Sequence, residues 1–219
     1  MPRLLFTKTG DAVWMSHLDL MRLFQRAFKR AGLPLTHTQG YNPRPSVSIA
    51  LPLSVGVESF CELLDFDLEG ESVPCDEITW RLNAALVPGV QVLQAYDNGG
   101  KLKELSLLRC EITMEYDAGV PEKAGESISD LFRRESVTVE KKGKSGPVQQ
   151  DIIPMIRSFA IRQADANTLV VDTLICCQNP TLNPAQMMSA IRHYLPQFAP
   201  DFTKCRRIES YTAQEKQFR

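Results

Sequence analysis

The sequence predicts an α+β fold made of two tandem ferredoxin-like (βαββαβ) units with antiparallel sheets, on three observations. Apolar spacing switches between period two and period 3.6 in the order strand, helix, strand, strand, helix, strand. That order occurs twice. Between the two copies, Asn98-Gly99-Gly100 and a polar run to Glu104 interrupt the pattern. The expected organisation is therefore a first unit over 1–97, a linker over 98–106 and a second unit over 107–219. The halves share no detectable identity, so the duplication rests on element order. A unit of this kind sets four strands against two helices, leaving one sheet face to be covered by the other unit or by a bound molecule.

Residues 2–8 read as the first strand. Ser16 caps a helix over 17–31, with Asp19 three positions on as a short capping-box partner, and Gly32 followed by Pro34 stops it. Extended segments at 35–38 and 46–52 follow, then a strand over 60–68 whose acids fall at alternate or near-alternate positions. A helix over 75–87 ends at Pro88-Gly89, and 90–95 is a strand. In the second half 107–116 is a strand, 121–134 a helix, 136–141 a strand, and the Lys- and Gly-rich 141–146 a loop. A short turn at 151–156 leads to a hairpin of 157–163 with 168–176; a helix from Asn183 or Pro184 to 195 and a strand over 202–211 complete the chain.

Composition narrows the class. With 219 residues, 43% of them hydrophobic, the chain can bury a core. No apolar run approaches the roughly 20 residues a membrane span needs, and Lys8 and Asp11 interrupt the amino terminus where a secretory signal would be apolar. The expectation is a soluble, cytoplasmic protein. Six cysteines (Cys61, Cys75, Cys110, Cys176, Cys177 and Cys205) are scattered through apolar segments, which reads as reduced core thiols, with Cys176 and Cys177 on opposite faces of a strand. No Cys-x-x-Cys or His-x-x-x-His spacing offers two metal ligands from one turn. Phosphate-loop, dinucleotide and zinc-deaminase patterns are absent, and no cofactor is expected.

The near-neutral total hides a basic end. Residues 1–59 hold seven Lys or Arg against three acids, whereas 60–100 hold one Arg and eight acids. On the first helix Leu20, Phe24, Ala27, Phe28 and Ala31 form the core stripe, while Arg22, Arg26, Lys29 and Arg30 lie at i, i+4, i+7 and i+8 on another face. Like charges at i,i+4 oppose the helix by about 0.2–0.5 kcal/mol per pair, and Asp19 is the local counter-charge. Two readings stand: a solvated face, free or paired with the acids of 62–77, or a phosphate-contacting face that Lys8 and Arg44 extend.

The loop Gln39-Gly40-Tyr41-Asn42-Pro43-Arg44-Pro45 is stiffened by its prolines. Tyr41 offers a stacking surface, Asn42 hydrogen bonds and Arg44 a phosphate grip, the groups that hold single-stranded RNA. The plainer reading is a turn between strands with Tyr41 packed on the sheet. Catalytic candidates are His17, His37 and Tyr41. A triad of Ser16, His17 and Asp19 is disfavoured because consecutive residues at a helix start point in different directions. A single His17 or His37 beside a phosphate site remains a candidate general base for metal-free RNA cleavage. Asp65, Asp67 and Glu69 alternate, which suits either a magnesium site or a charged, solvated sheet edge.

The segments Phe6-Thr7-Lys8-Thr9-Gly10, Ser16-His17-Leu18-Asp19-Leu20-Met21-Arg22, Arg30-Ala31-Gly32-Leu33-Pro34, Gln39-Gly40-Tyr41-Asn42-Pro43, Leu51-Pro52-Leu53 and Gly56-Val57-Glu58-Ser59 resemble the radical-SAM-linked protein family. The resemblance is dense over residues 3–68. It implies a bacterial domain of unknown function fused to, or encoded beside, a radical SAM protein with a B12-binding-like region, and it brings no catalytic residues. Where that family has a Phe-Asn-Pro-His style loop, this chain has Tyr41-Asn42-Pro43-Arg44, and it lacks the Cys-x-x-x-Cys-x-x-Cys of a radical SAM cluster. The leading expectation is a non-catalytic accessory domain that presents ribosomal or transfer RNA, rather than DNA, to a radical SAM partner. The alternatives are a metal-independent endoribonuclease and a protein-interaction module docking that partner through its acidic segment 58–77. By fold analogy alone, the tandem order is similar to that of CRISPR RNA-processing repeat proteins and some pseudouridine synthases.

Overall fold

All six residues of the first strand, β1 (Arg3–Lys8), are buried, charged ends included. β1 is central because it pairs antiparallel with a strand on each side, and its apolar middle packs under two helices. The computed structural model describes residues 2–143 and 146–219. The chain divides into two units, Met1–Leu102 with Phe218–Arg219, and Lys103–Gln217.

In the first unit β2 (Val47–Ile49), β3 (Val57–Phe66) and β4 (Val90–Tyr96) join β1 in an antiparallel sheet of order β4-β1-β3-β2. Leu4 lies opposite Leu64 of β3 and Ala95 of β4, and Val47 lies opposite Phe66. Two helices, α1 (His17–Arg30) and α2 (Cys75–Ala85), contribute to the same core. Helix α1 forms where its pattern places it. The Ser16 hydroxyl accepts from the Asp19 amide at 3.2 Å, Leu20, Phe24, Ala27 and Phe28 turn inward, and Gly32 at φ +68° lets Leu33 N–H close back onto the Phe28 carbonyl at 3.0 Å. Phe6 meets Phe24 edge-on with ring centroids 4.7 Å apart, and Phe28 meets Phe66 at 5.0 Å.

The second unit repeats the strand order with an addition. β5 (Leu105–Glu115) pairs antiparallel with β10 (Phe202–Thr212) on one side and β9 (Thr168–Cys176) on the other, and β8 (Ile156–Asp165) pairs with β9, giving β10-β5-β9-β8. Helix α3 (Ala124–Phe132) follows β5, and α4 (Pro184–Tyr194) follows β9. Asn183 and Gln186 form a full capping box at α4, the Asn183 side chain accepting from the Ala185 amide at 3.0 Å. The addition is a separate two-stranded sheet of β6 (Thr138–Gly143) and β7 (Gly146–Asp151).

The architecture is α+β, with four α-helices and antiparallel pairing in both units among the described residues. Two local expectations need correction. The segment 141–146 read as a loop, but its described residues carry the tip of the β6–β7 hairpin, with Gly143 opposite Gly146; residues 144 and 145 lie outside the described residues. The helix expected from 121 begins at Ala124, because Lys123 adopts the left-handed region (φ 64°) and Ala124 N–H closes a turn onto the Pro121 carbonyl. All six cysteines are free thiols, four of them buried; Cys176 and Cys177 are both among these, and burial pushes the Cys177 thiol up to about 12. No helix of the described residues is long and apolar enough to cross a membrane.

Candidate nucleic-acid interface

The outward face of α1 presents Arg22, Arg26, Lys29 and Arg30, all exposed. Arg22 pairs with Asp19 at 3.3 Å, and the Ser16 hydroxyl first, with Arg22 after it, holds the Asp19 carboxyl below its usual range. Arg30 Nη2 donates to the Ala85 carbonyl at 2.6 Å, which ties it to the end of α2. Among the described residues, Arg26, Lys29 and the Arg44 guanidinium have no hydrogen-bond or ion-pair partner. Most of the acids of 62–77 are therefore not spent on this helix.

Lys8 does not join that face. It is 1% exposed, and its ammonium donates to the Val13 and Met15 carbonyls at 3.0 and 2.9 Å, which the 3-10 turn Gly10–Trp14 folds back over it. Burial takes Lys8 out of the surface expected to contact phosphate: the group is a buried cation with backbone oxygens among its partners.

The loop after α1 is closed at its neck. Thr38 N–H donates to the Arg44 carbonyl at 2.8 Å, and Arg44 N–H donates to the Thr38 hydroxyl at 3.0 Å. Below this, His37 bridges Pro45 and Leu35 bridges Leu68, while the Thr36 hydroxyl donates to Asp67 at 3.0 Å. Beyond the neck, residues 39–44 are exposed, and Tyr41 at 108% stands clear of the sheet, contrary to the packed alternative. Gly40 at φ 137° supplies a turn that an L side chain rarely adopts.

Between the end of α1 and this stem lies a cleft of about 410 Å³. Leu33, Pro34 and Leu35 line it together with Pro45, and its polar groups are Gln25, Lys29, His37 and Glu69. His37 Nδ1 stands 3.8 Å from Glu69 Oε1. Gln25 was missed in the sequence, and Glu69 was read only with Asp65 and Asp67, as a magnesium set or a solvated sheet edge, not as part of a cleft. Gln25 carried one signal, its i,i+4 spacing to Lys29; the alternation of Glu69 with Asp65 and Asp67 did not point to the cleft, since its place there depends on its N–H donating to the Pro34 carbonyl at 2.8 Å.

The three catalytic candidates separate. His17 lies at the other end of α1, about 18 Å along the axis from Lys29 at 1.5 Å per residue. Its Nδ1 is buried without a hydrogen-bond partner among the described residues, and the Ser16 hydroxyl donates to Asp19 at 2.7 Å instead of engaging it. His37 lines the cleft, and Tyr41 rises from the loop beyond it. The acids expected on one strand face also diverge. Asp65 binds Arg3 at 2.5 and 3.1 Å, Asp67 accepts from Thr36, and Glu69 turns to the cleft, because β3 ends at Phe66. Among the described residues no group of three His, Cys, Asp or Glu is placed to hold a metal ion.

Fold and surface together define an α+β protein with antiparallel sheets and a basic helical face in the same unit as an exposed aromatic loop. The chain belongs to the family DUF2344, described as an uncharacterized protein conserved in bacteria, whose model matches residues 2–184. Among solved structures it is similar to a chain of a Cbf5–Nop10–Gar1 complex, with 8% identity and a TM-score of 0.54 over 95% of this chain and 48% of that one. It is also similar to a chain of the archaeal box H/ACA sRNP Nop10–Cbf5 complex, with 9% identity and a TM-score of 0.47 over 94% and 46%. The chain thus spans about half the length of these two solved chains. At such identity the first likeness is one of fold. A comparison with curated proteins found no match.

Proposed function

We propose that this chain is a non-catalytic RNA-binding accessory domain built from two ferredoxin-like units in tandem. The tandem reading is supported by strand orders that correspond position for position, β4-β1-β3-β2 and β10-β5-β9-β8, with β6 and β7 as an insertion in the second. The RNA reading is carried by one observation: among the described residues the side-chain cations of Arg26, Lys29 and Arg44 are exposed without partners, in the unit whose loop raises Tyr41 fully into solvent. Unpaired cations cost nothing to redirect to phosphates, and a loop closed at its neck loses little freedom when a base stacks on its aromatic ring. Arg22 and Asn42 extend the surface; Arg30 contributes charge from a fixed position; Lys8 takes no part. Service to a radical SAM partner in ribosomal or transfer RNA modification rests on the motif resemblance alone.

The test is binding of a short, labelled single-stranded RNA by fluorescence anisotropy. Arg26→Glu combined with Arg44→Glu is expected to weaken binding by about tenfold or more at moderate salt. Affinity unchanged in that variant would refute the proposal.

A second reading, a metal-independent endoribonuclease, draws on His37, which shares its cleft with Lys29 and stands 3.8 Å from Glu69. RNA fragments released by the wild type and not by His37→Ala would establish it over the accessory role.

A further inference from the structure

We infer that the cleft between α1 and the loop stem is a nucleobase pocket selective for guanine, so that the RNA bound is single-stranded and contributes an unpaired guanosine. The inference rests on the RNA-binding reading and adds to it the identity of one base. Pro34 and Pro45, with the buried Leu33 and Leu35 beside them, give the cleft apolar surface of the sort a flat base covers, and about 410 Å³ accommodates one base with its sugar outside. Such a base has to be splayed out of any stack, which single strands and loops permit and duplexes do not.

Of the polar groups of the cleft, Glu69 and Lys29 decide which base, with Gln25 and, 3.8 Å from Glu69, His37 completing the lining. Glu69 is acceptor-only when ionised and offers two oxygens side by side; Lys29 is donor-only. Guanine alone among the four bases presents two adjacent donors, N1–H and the N2 amine, next to an acceptor, O6, on its Watson–Crick edge. That order meets the Glu69 carboxylate with two hydrogen bonds and leaves O6 for the Lys29 ammonium. Adenine and cytosine turn a ring-nitrogen acceptor toward the carboxylate, and uracil offers it one donor flanked by two acceptors. Leaving such acceptors unpaired against a carboxylate is what discriminates. Arg26 is one helical turn from Lys29 on α1, within reach of a phosphate next to a base so held.

The experiment compares an oligouridylate with the same strand carrying one central guanosine, adenosine or cytidine, each titrated into the intact protein. The guanosine strand is expected to bind roughly tenfold tighter than the other three. Glu69→Gln, which replaces one acceptor by a donor at an exposed side chain, is expected to erase that preference, bringing the guanosine strand level with the other three. Equal binding of all four strands overturns the base pocket and leaves the RNA reading standing; no binding of any strand overturns both. A guanine preference found by calorimetry with guanosine monophosphate and absent from the oligonucleotides also overturns it, since the cleft would then serve a free nucleotide.

Discussion

Thr38 and Arg44 close the loop after α1 on each other, Thr38 N–H donating to the Arg44 carbonyl at 2.8 Å and Arg44 N–H donating to the Thr38 hydroxyl at 3.0 Å. Thr38→Val keeps the shape of the side chain and removes the second bond, worth about 1 kcal/mol in a typical case. Because the loop is exposed, the melting temperature is expected to fall slightly, whereas RNA affinity falls several-fold as the cost of ordering the loop moves into the binding step. Parallel thermal melts and anisotropy titrations would show this split. Undiminished affinity in Thr38→Val would mean that the closed neck has no part in binding.

Tyr41 separates binding from folding most cleanly. It touches little of its own molecule, so Tyr41→Ala is expected to change stability by no more than about 0.5 kcal/mol. Loss of one base–aromatic stack is expected to cost about 1–3 kcal/mol of binding. Tyr41→Phe, which keeps the ring, is expected to bind like the wild type.

Arg3 and Asp65 form the charged pair that anchors the edge of the first core, with side chains 5% and 16% exposed. Burial opposes the charge on Arg3, but the hydrogen bond and charge of Asp65 outweigh it and hold the guanidinium protonated above its ordinary range. Its Nη1 also donates to the Gly100 carbonyl, and its plane lies over the Phe218 ring at 5.4 Å. Arg3→Met leaves the Asp65 carboxylate without its partner and is expected to destabilise the fold by about 3–5 kcal/mol in urea titrations. The double variant Arg3→Met with Asp65→Leu is expected to recover much of that loss.

The cap of α1 carries an acid-sensitive contribution. Asp19 has its carboxyl held below the usual range by the Ser16 hydroxyl and by Arg22, so the folded state binds fewer protons there than the unfolded chain. Its stabilisation is complete above about pH 4 and is lost as the pH falls through the lower, folded value. The acid limb of the stability curve is expected to be shallower in Asp19→Asn than in the wild type. Ser16→Ala removes the cap itself and is expected to cost about 1 kcal/mol at neutral pH, read by chemical denaturation.

Much of this fold could be read from residue spacing, and the exceptions have physical causes. Helix α1 was legible because Leu20, Phe24, Ala27 and Phe28 fall on one stripe between a serine cap and Gly32. The exposed loop was legible from Gly40 and its prolines. Lys8 was not, since a lysine ending an apolar strand looks like a charge reaching for water; the turn Gly10–Trp14 and its cap Met15 bring the Val13 and Met15 carbonyls onto it inside. The β6–β7 hairpin was hidden because backbone ladders need no apolar side chains, and a run of Lys and Gly reads as a loop. Glu69 was hidden because its cleft exists only when the strand ending at Phe66 brings it beside the exit of α1. Local periodicity encodes elements; pockets between distant segments are encoded only by their packing.

The most direct measurement is the dependence of RNA affinity on salt. If Arg22, Arg26, Lys29 and Arg44 each neutralise one phosphate of an oligouridylate, in which no guanine O6 competes for Lys29, the logarithm of the association constant should fall against the logarithm of salt concentration with a slope of about −2.8. Reversing Arg26 and Arg44 should reduce that slope by about half. A slope near zero in the wild type, or one that the two charge reversals leave intact, would contradict RNA recognition by this face of α1 and its loop.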